Sequence, residues 1–145
     1  MNATEMKWTV NLQTVRKIAG MSRKAMAEQA GISWRQLAAY ELGENQWSNM
    51  SAEMLHKLED YLGCSLLDLT EVDFNRMEMG MACGASAQKP TVPAIISTCR
   101  MMSVADVVGL DYNDAVFKRV WNMIPEAAAK RLPVSVLGTM VRQWI

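Results

Sequence analysis

Ser33, Trp34, Arg35 and Gln36 follow directly on Gly31-Ile32, placing an indole and a guanidinium in what reads as the first turn of a short helix. Both groups carry fixed N–H donors and no proton that leaves near neutral pH. Their chemistry is therefore recognition of acceptors rather than proton transfer or covalent attack. Residue types that make and break bonds are sparse. The chain has one histidine, His56, and three cysteines, Cys64, Cys83 and Cys99, which are odd in number, far apart and without a C-x-x-C pair. That pattern suggests neither a disulfide framework nor a zinc site. No nucleophile–base pair, glycine-rich phosphate loop or ligand cluster accompanies it, so the expectation is a non-enzymatic protein needing no cofactor and no metal. His56 reads as a surface or interface residue, Cys64 as a small core side chain, and the 13 methionines, Met77, Met79 and Met81 among them, as fillers of irregular contacts.

The 145 residues suffice for one compact domain, or for a small domain with an appendage. Half of them are hydrophobic and 21% are charged, the balance of a folded soluble chain rather than a disordered one. The longest apolar runs fall well short of the roughly 18 residues needed to span a bilayer. The N-terminus lacks the basic-then-apolar order of a signal peptide, and a cytoplasmic protein with no membrane partner is expected.

The elements that would position Trp34 and Arg35 are helices with start and stop signals. One runs from about Leu12 to Ala19 and stops at Gly20. Ser22 can cap a second, Arg23 to Ala30, closed by Gly31. Ser33 opens a third that ends near Leu42-Gly43, and Ser33-x-x-Gln36 has the spacing of a capping box, in which serine and glutamine each satisfy the other's orphan amide. Ser51 can cap a fourth, striped by Leu55, Leu58 and Leu62, and Ser65-Leu-Leu-Asp68 starts a brief fifth. Glu44–Met50 is a polar loop. Between the second and third helices, Ala27 and Gly31 supply the small residue and the glycine that a tight helix-turn-helix crossing needs.

The wider order is Arg16, Ser22, Met26-Ala27, Gly31-Ile32-Ser33, Leu37, Glu41 and Gly43, then Leu55, Leu58 and Leu-Gly-Cys-Ser-Leu-Leu-Asp-Leu. In this register the chain resembles the Cro and lambda-repressor type of DNA-binding domain, the XRE family, over about Leu12–Leu69. The resemblance implies an all-α, five-helix domain whose third helix enters the major groove of double-stranded DNA. It implies a contact set of Ser22, Arg23, Ser33, Trp34, Arg35, Gln36, Asn45 and Gln46. Arg23 would meet phosphate from the start of the second helix, and Arg35 would hold guanine O6 and N7. Trp34 would pack on a thymine methyl or a sugar edge, and Asn45 and Gln46 would reach the backbone. Gln36 stays ambiguous, because a capping glutamine turns back on its own helix. Arg16 and Glu41 match the family's structural ion pair and belong to folding rather than contact. The resemblance also implies a bacterial or phage-encoded protein, at the nucleoid when bound.

Charge must act through its distribution, since the formal net charge is zero and phosphate neutralisation needs clustered cations. Residues 1–70 hold seven basic side chains against eight acidic ones, but five of the seven basics fall between Arg16 and Arg35. That arrangement permits a weakly basic face. Ala38 and Ala39 leave the third helix few reading groups beyond its first turn, and the loop after it opens with Glu44. Both point to help from a dimer.

Residues 1–71 read as the DNA-binding domain and 72–92 as a linker broken by glycines and prolines. Residues 93–145 read as a smaller helical C-terminal domain. There Asp111-Tyr-Asn-Asp114 opens a helix toward Ile124, Pro125 interrupts it, and Pro133 precedes a last helix on which Val136, Leu137, Met140, Val141 and Trp144 share a face. Ala105-x-x-x-Gly109-Leu110 echoes Ala27-x-x-x-Gly31-Ile32, which leaves room for a second helix-turn-helix read by Asn113, Lys118 and Arg119. A dimerisation module is the preferred reading, because Val116, Val120, Met123, Ile124 and the Trp144 helix offer apolar stripes that about 50 residues would struggle to bury alone. The function expected is sequence-specific binding of double-stranded DNA by a homodimeric transcriptional regulator, a repressor. The alternative is an antitoxin-like protein that captures a protein partner through its C-terminal half and represses its own operon.

Overall fold

A computed structural model describes residues 3–72, 74 and 91–145, and among these all regular structure is helical. Five helices come first: α1 (Ala3–Ile18), α2 (Arg23–Ala30), α3 (Trp34–Glu41), α4 (Ala52–Leu62) and α5 (Leu66–Glu71), with a 3-10 turn at Trp47–Asn49. Four follow: α6 (Val92–Val108), α7 (Ala115–Met123), α8 (Glu126–Arg131) and α9 (Val134–Trp144). Most starts are set by side chains that satisfy amides the helix leaves without a carbonyl. Ser22, Ser33, Ser51, Ser65, Thr91 and Asp114 each accept a hydrogen bond from a backbone N–H of the turn they open. Pro125 and Pro133 stand immediately before α8 and α9.

Two boundaries differ from the sequence reading. α1 begins at Ala3, not near Leu12, because the fully buried Trp8 extends the stripe of Leu12, Val15 and Ala19 by a turn and no glycine or proline interrupts it. α6 is 17 residues long although its sequence shows no single apolar face, a consequence of its packing on different neighbours at its two ends. Of the expected linker 72–92, residues 73 and 75–90 lie outside the described residues, and with them Met77, Met79, Met81 and Cys83.

Two apolar clusters form the interior. The first gathers Trp8, Leu12 and Val15 of α1, Met26 and Ala27 of α2, Leu37 and Tyr40 of α3, Leu58 and Leu62 of α4, and Leu69 of α5. Val72, Phe74 and the first half of α6 (Val92, Ile95, Ile96, Cys99) complete it. The second joins Val104 and Ala105 of α6 to Phe117, Val120 and Ile124 from α7 and its end, and to Val134, Leu137 and Val141 of α9. The expected stripe on α7 is thus divided: Val120 and Ile124 are interior, whereas Val116 and Met123 remain exposed. Gly138 lets α9 approach α6 closely, since a Cβ there would lie 2.8 Å from Val107 Cγ1.

A buried ion pair ties the two clusters together. Arg100 of α6 is 2% exposed and donates from Nε (3.0 Å) and Nη2 (2.6 Å) to Asp68 Oδ2 on α5. Nη1 and Nη2 also donate to the carbonyls of Ala129 and Leu132 at the end of α8. The other carboxylate oxygen, Asp68 Oδ1, accepts from the backbone N–H of Val134, the first residue of α9, at 3.4 Å. Four helices therefore converge on one charge pair. Desolvating it is costly, so its loss is asymmetric: removing one partner strands a charge, whereas removing both does not.

Asp68→Ala is expected to lower the unfolding free energy by about 3–5 kcal/mol in chemical denaturation. The double replacement Asp68→Leu/Arg100→Met should lose less than that single change. An equal or larger loss in the double variant would contradict the account of the node.

Candidate nucleic-acid interface

α2 and α3 meet through a three-residue turn, Gly31 to Ser33, built from two caps. Gly31 adopts φ of 75°, where a side chain would be strained. In that conformation its N–H reaches the Glu28 carbonyl (3.3 Å) and Ile32 N–H reaches the Ala27 carbonyl (3.0 Å), the closing pattern of a left-handed C-cap. Ser33 then opens α3: its Oγ accepts from Gln36 N–H (3.1 Å) and its own N–H donates to Gln36 Oε1 (3.3 Å). The capping box is formed in full, and the ambiguity over Gln36 resolves by atoms. Its carbonyl oxygen is engaged in the cap, and its side-chain NH2 points to no described partner.

The inner face of α3 is held firmly. Leu37, Tyr40 and Glu41 are buried, Tyr40 lies tilted against Trp8 with ring centroids 6.1 Å apart, and Thr9 Oγ1 donates to the Tyr40 carbonyl (3.4 Å). Trp47 of the 3-10 turn packs edge-on against Trp8. The outer face is free by contrast. Trp34, Arg35 and Gln36 are all exposed, and Trp34, at 51%, is unusually open for an indole. The Arg35 guanidinium carbon sits 5.7 Å from the Trp34 ring centroid, within cation–π range. No hydrogen bond or ion pair from the described residues engages Arg35's donors. Ala38 and Ala39 behind them are half-buried and add nothing polar.

Glu41, at the far end of α3, has no access to water and carries two arginines. Arg16 binds it from α1 through Nε (3.0 and 3.1 Å) and Nη2 (2.9 Å), and donates from Nη1 to the Met21 carbonyl (3.0 Å). Gln13 Nε2 donates to the Glu41 carbonyl. Arg23, the first residue of α2, reaches the same carboxylate at 3.4 Å while remaining half-exposed. Sequence reasoning anticipates the Arg16–Glu41 pair but misses that Arg23 shares it, since nothing local links positions 18 residues apart. Ser22 Oγ accepts from Ala25 N–H (3.1 Å), a capping role. Asn45 and Gln46 are exposed in the loop after α3, which is pinned by Glu44 and Asn45 N–H groups on the Ala39 carbonyl (2.8 and 3.2 Å).

Elsewhere, burial pushes the Cys64 thiol up to about 12, against a smaller opposing pull from Arg100, so it stays protonated at neutral pH and is a poor nucleophile. No three His, Cys, Asp or Glu among the described residues are grouped to hold a metal ion, and no described helix is long and apolar enough to cross a membrane.

The two arginines on Glu41 should separate by stability. Glu41→Ala strands Arg16 and is expected to cost about 3–5 kcal/mol in urea unfolding, whereas Arg23→Ala removes a long, half-exposed pair and should cost at most about 1 kcal/mol. Comparable losses would show Arg23 to be a core support as much as Arg16.

Residues 11–75 match the family described as the Cro/C1-type HTH DNA-binding domain. No curated protein and no solved structure matches the chain. The match begins inside α1 and ends just past Phe74, so it takes in the first cluster from Leu12 to Phe74 but not Trp8 or the residues of α6, together with the capped turn and the free outer face of α3. Over residues 11–75 the chain is similar to the helix-turn-helix DNA-binding domain of the Cro/C1 type, a likeness that supports DNA binding in transcription regulation.

Proposed function

We propose that the protein is a dimeric, sequence-specific repressor of transcription that reads double-stranded DNA with the first turn of α3. The observation that carries this reading is the pairing of Trp34 and Arg35 on the open side of a helix whose opposite side is buried. A guanidinium held beside an indole, with its donors unused, suits bidentate contact to a guanine edge, and the indole suits the thymine methyl or sugar beside it. Arg23 serves phosphate: its half-exposed side chain sits at the N-terminus of α2, where the helix amides add to the attraction for an anion. Asn45 and Gln46 follow the backbone on the far side of α3, and the Gln36 amide nitrogen is available to a base or a phosphate. Ser22 and Ser33 act by fixing the two helix starts.

The reading turn is short, because Ala38 and Ala39 bring no polar group to the next turn of α3. Two copies addressing half-sites about 34 Å apart supply the specificity that one lacks. Residues 1–71 do the reading and 93–145 the assembly, in the cytoplasm and at the nucleoid. Repression follows from occupancy of a site that a polymerase also needs.

The test is titration of the full chain against its own upstream DNA and a scrambled duplex across salt concentrations. A salt-sensitive preference for the upstream duplex is expected. Arg35→Ala should remove about 1–3 kcal/mol of that preference, whereas Arg23→Ala should weaken both duplexes alike and reduce the salt slope by about one. No preference at any salt, from a folded protein, would overturn the reading and make protein capture the function to pursue.

A further inference from the structure

α4 does not close completely on the C-terminal helices. It faces α8 across a chamber of about 720 Å³, and a smaller chamber of about 380 Å³ continues toward α6 and α7. Asp60, Gly63, Glu126 and Lys130 border both, so the two form one trench with a waist. The smaller chamber adds an aromatic wall. Trp121 lines it half-buried and is backed by Phe117, whose ring lies nearly parallel, at 25° with centroids 6.2 Å apart. Its volume is that of a small-molecule site.

Charge in the smaller chamber does not balance. Lys130 pairs with Glu126 at 3.0 Å, and Arg100, part of the wall, is neutralised by Asp68. Asp60 is left over. It is exposed, and no hydrogen bond or ion pair from the described residues engages its carboxylate. Beyond the waist, the larger chamber adds Glu59 and Arg131, one charge of each sign, beside His56. The imbalance therefore stays at Asp60.

We infer that the smaller chamber is a binding site for a small organic cation, a primary or quaternary ammonium that carries an aromatic group. Asp60 supplies the counter-charge. Trp121 attracts the same cation through the negative face of its ring and covers the ligand's apolar part. Neither group suffices alone, because an exposed ion pair is weak in water. Together they also select by sign, since Asp60 repels an anion of the same shape. The cation meets α4 on one side and α7 and α8 on the other, so its binding favours the packed arrangement of these helices by mass action. None of the lining residues belongs to α3, and the test needs no DNA, so the site stands or falls independently of the regulator reading.

Titration calorimetry of the full chain with phenethylamine and with benzyltrimethylammonium tests it. Both should bind with Kd below about 10 mM, and 3-phenylpropionate, of similar size and opposite charge, should bind at least about tenfold more weakly. Asp60→Asn should weaken both cations about three- to tenfold. Glu53→Gln removes the same charge from α4 outside the chamber and should leave their binding unchanged. In the unmodified chain the indole N–H resonance of Trp121, identified by its absence from the spectrum of Trp121→Phe, should move with either cation and stay still with the anion. That readout does not depend on the folding of an Asp60 variant. The inference is overturned if neither cation binds below about 10 mM, if 3-phenylpropionate binds as well as they do, if Asp60→Asn and Glu53→Gln act alike, or if the Trp121 resonance does not move.

Discussion

Arg100 is charged, out of water and 32 residues away from the carboxylate that neutralises it. Four hydrogen bonds hold the guanidinium there: Asp68 takes two, and the Ala129 and Leu132 carbonyls closing α8 take one each. The placement uses helix ends well. The cation lies at the C-terminus of α8 and the anion at the N-terminus of α9, so both helix dipoles favour the charges beside them. An ion pair of this kind adds little net stability over an apolar replacement, but it tolerates few alternative geometries. Its effect is to specify which helix sits where.

Glu41 plays the corresponding part in the DNA-binding domain. It is the last residue of α3, fully buried, and ligated from α1 by Arg16 and from α2 by Arg23. With Tyr40 clamped to α1 through Thr9 and Trp8, the inner face of α3 is fixed along its length. This is why the outer face can be left so bare. On the proposed function this suits α3, because contacts that oriented it from the front would occupy the donors it would read with.

What the sequence made legible was local. Ser22, Ser33, Ser51, Ser65 and Asp114 announce helix starts because a cap bonds within three residues of itself, and Gly31 announces a stop for the same reason. The register from Arg16 to Glu41 placed Trp34 and Arg35 on an open first turn, where they stand. What was not legible depends on distance along the chain. Asp68 gave no sign of needing Arg100, nor Arg23 of leaning on Glu41. α6 hid because its two ends serve two different cores, which erases the single stripe that periodicity detects. The glycine turn at 109 shows the limit most clearly. Gly109 and Leu110 N–H groups bond the Ala105 carbonyl as a C-cap should, with φ of 82°, so the echo of Gly31 is real at the level of the cap. Yet six residues, 109 to 114, separate α6 from α7, against three between α2 and α3, and a cap alone does not set the crossing of two helices.

These pieces form a continuous frame. The Val134 amide at the head of α9 bonds Asp68 on α5, and the Leu69 carbonyl on α5 accepts from Asn11 Nδ2 on α1 at 2.7 Å. Arg16 on α1 binds Glu41 on α3. Each link is a polar contact wholly or largely withdrawn from water, where hydrogen bonds hold geometry best. From the first residue of α9 to the last residue of α3, no step needs the stretch between α5 and α6. The position of α3 relative to the C-terminal helices is in this sense a property of packed helices and not of linker length.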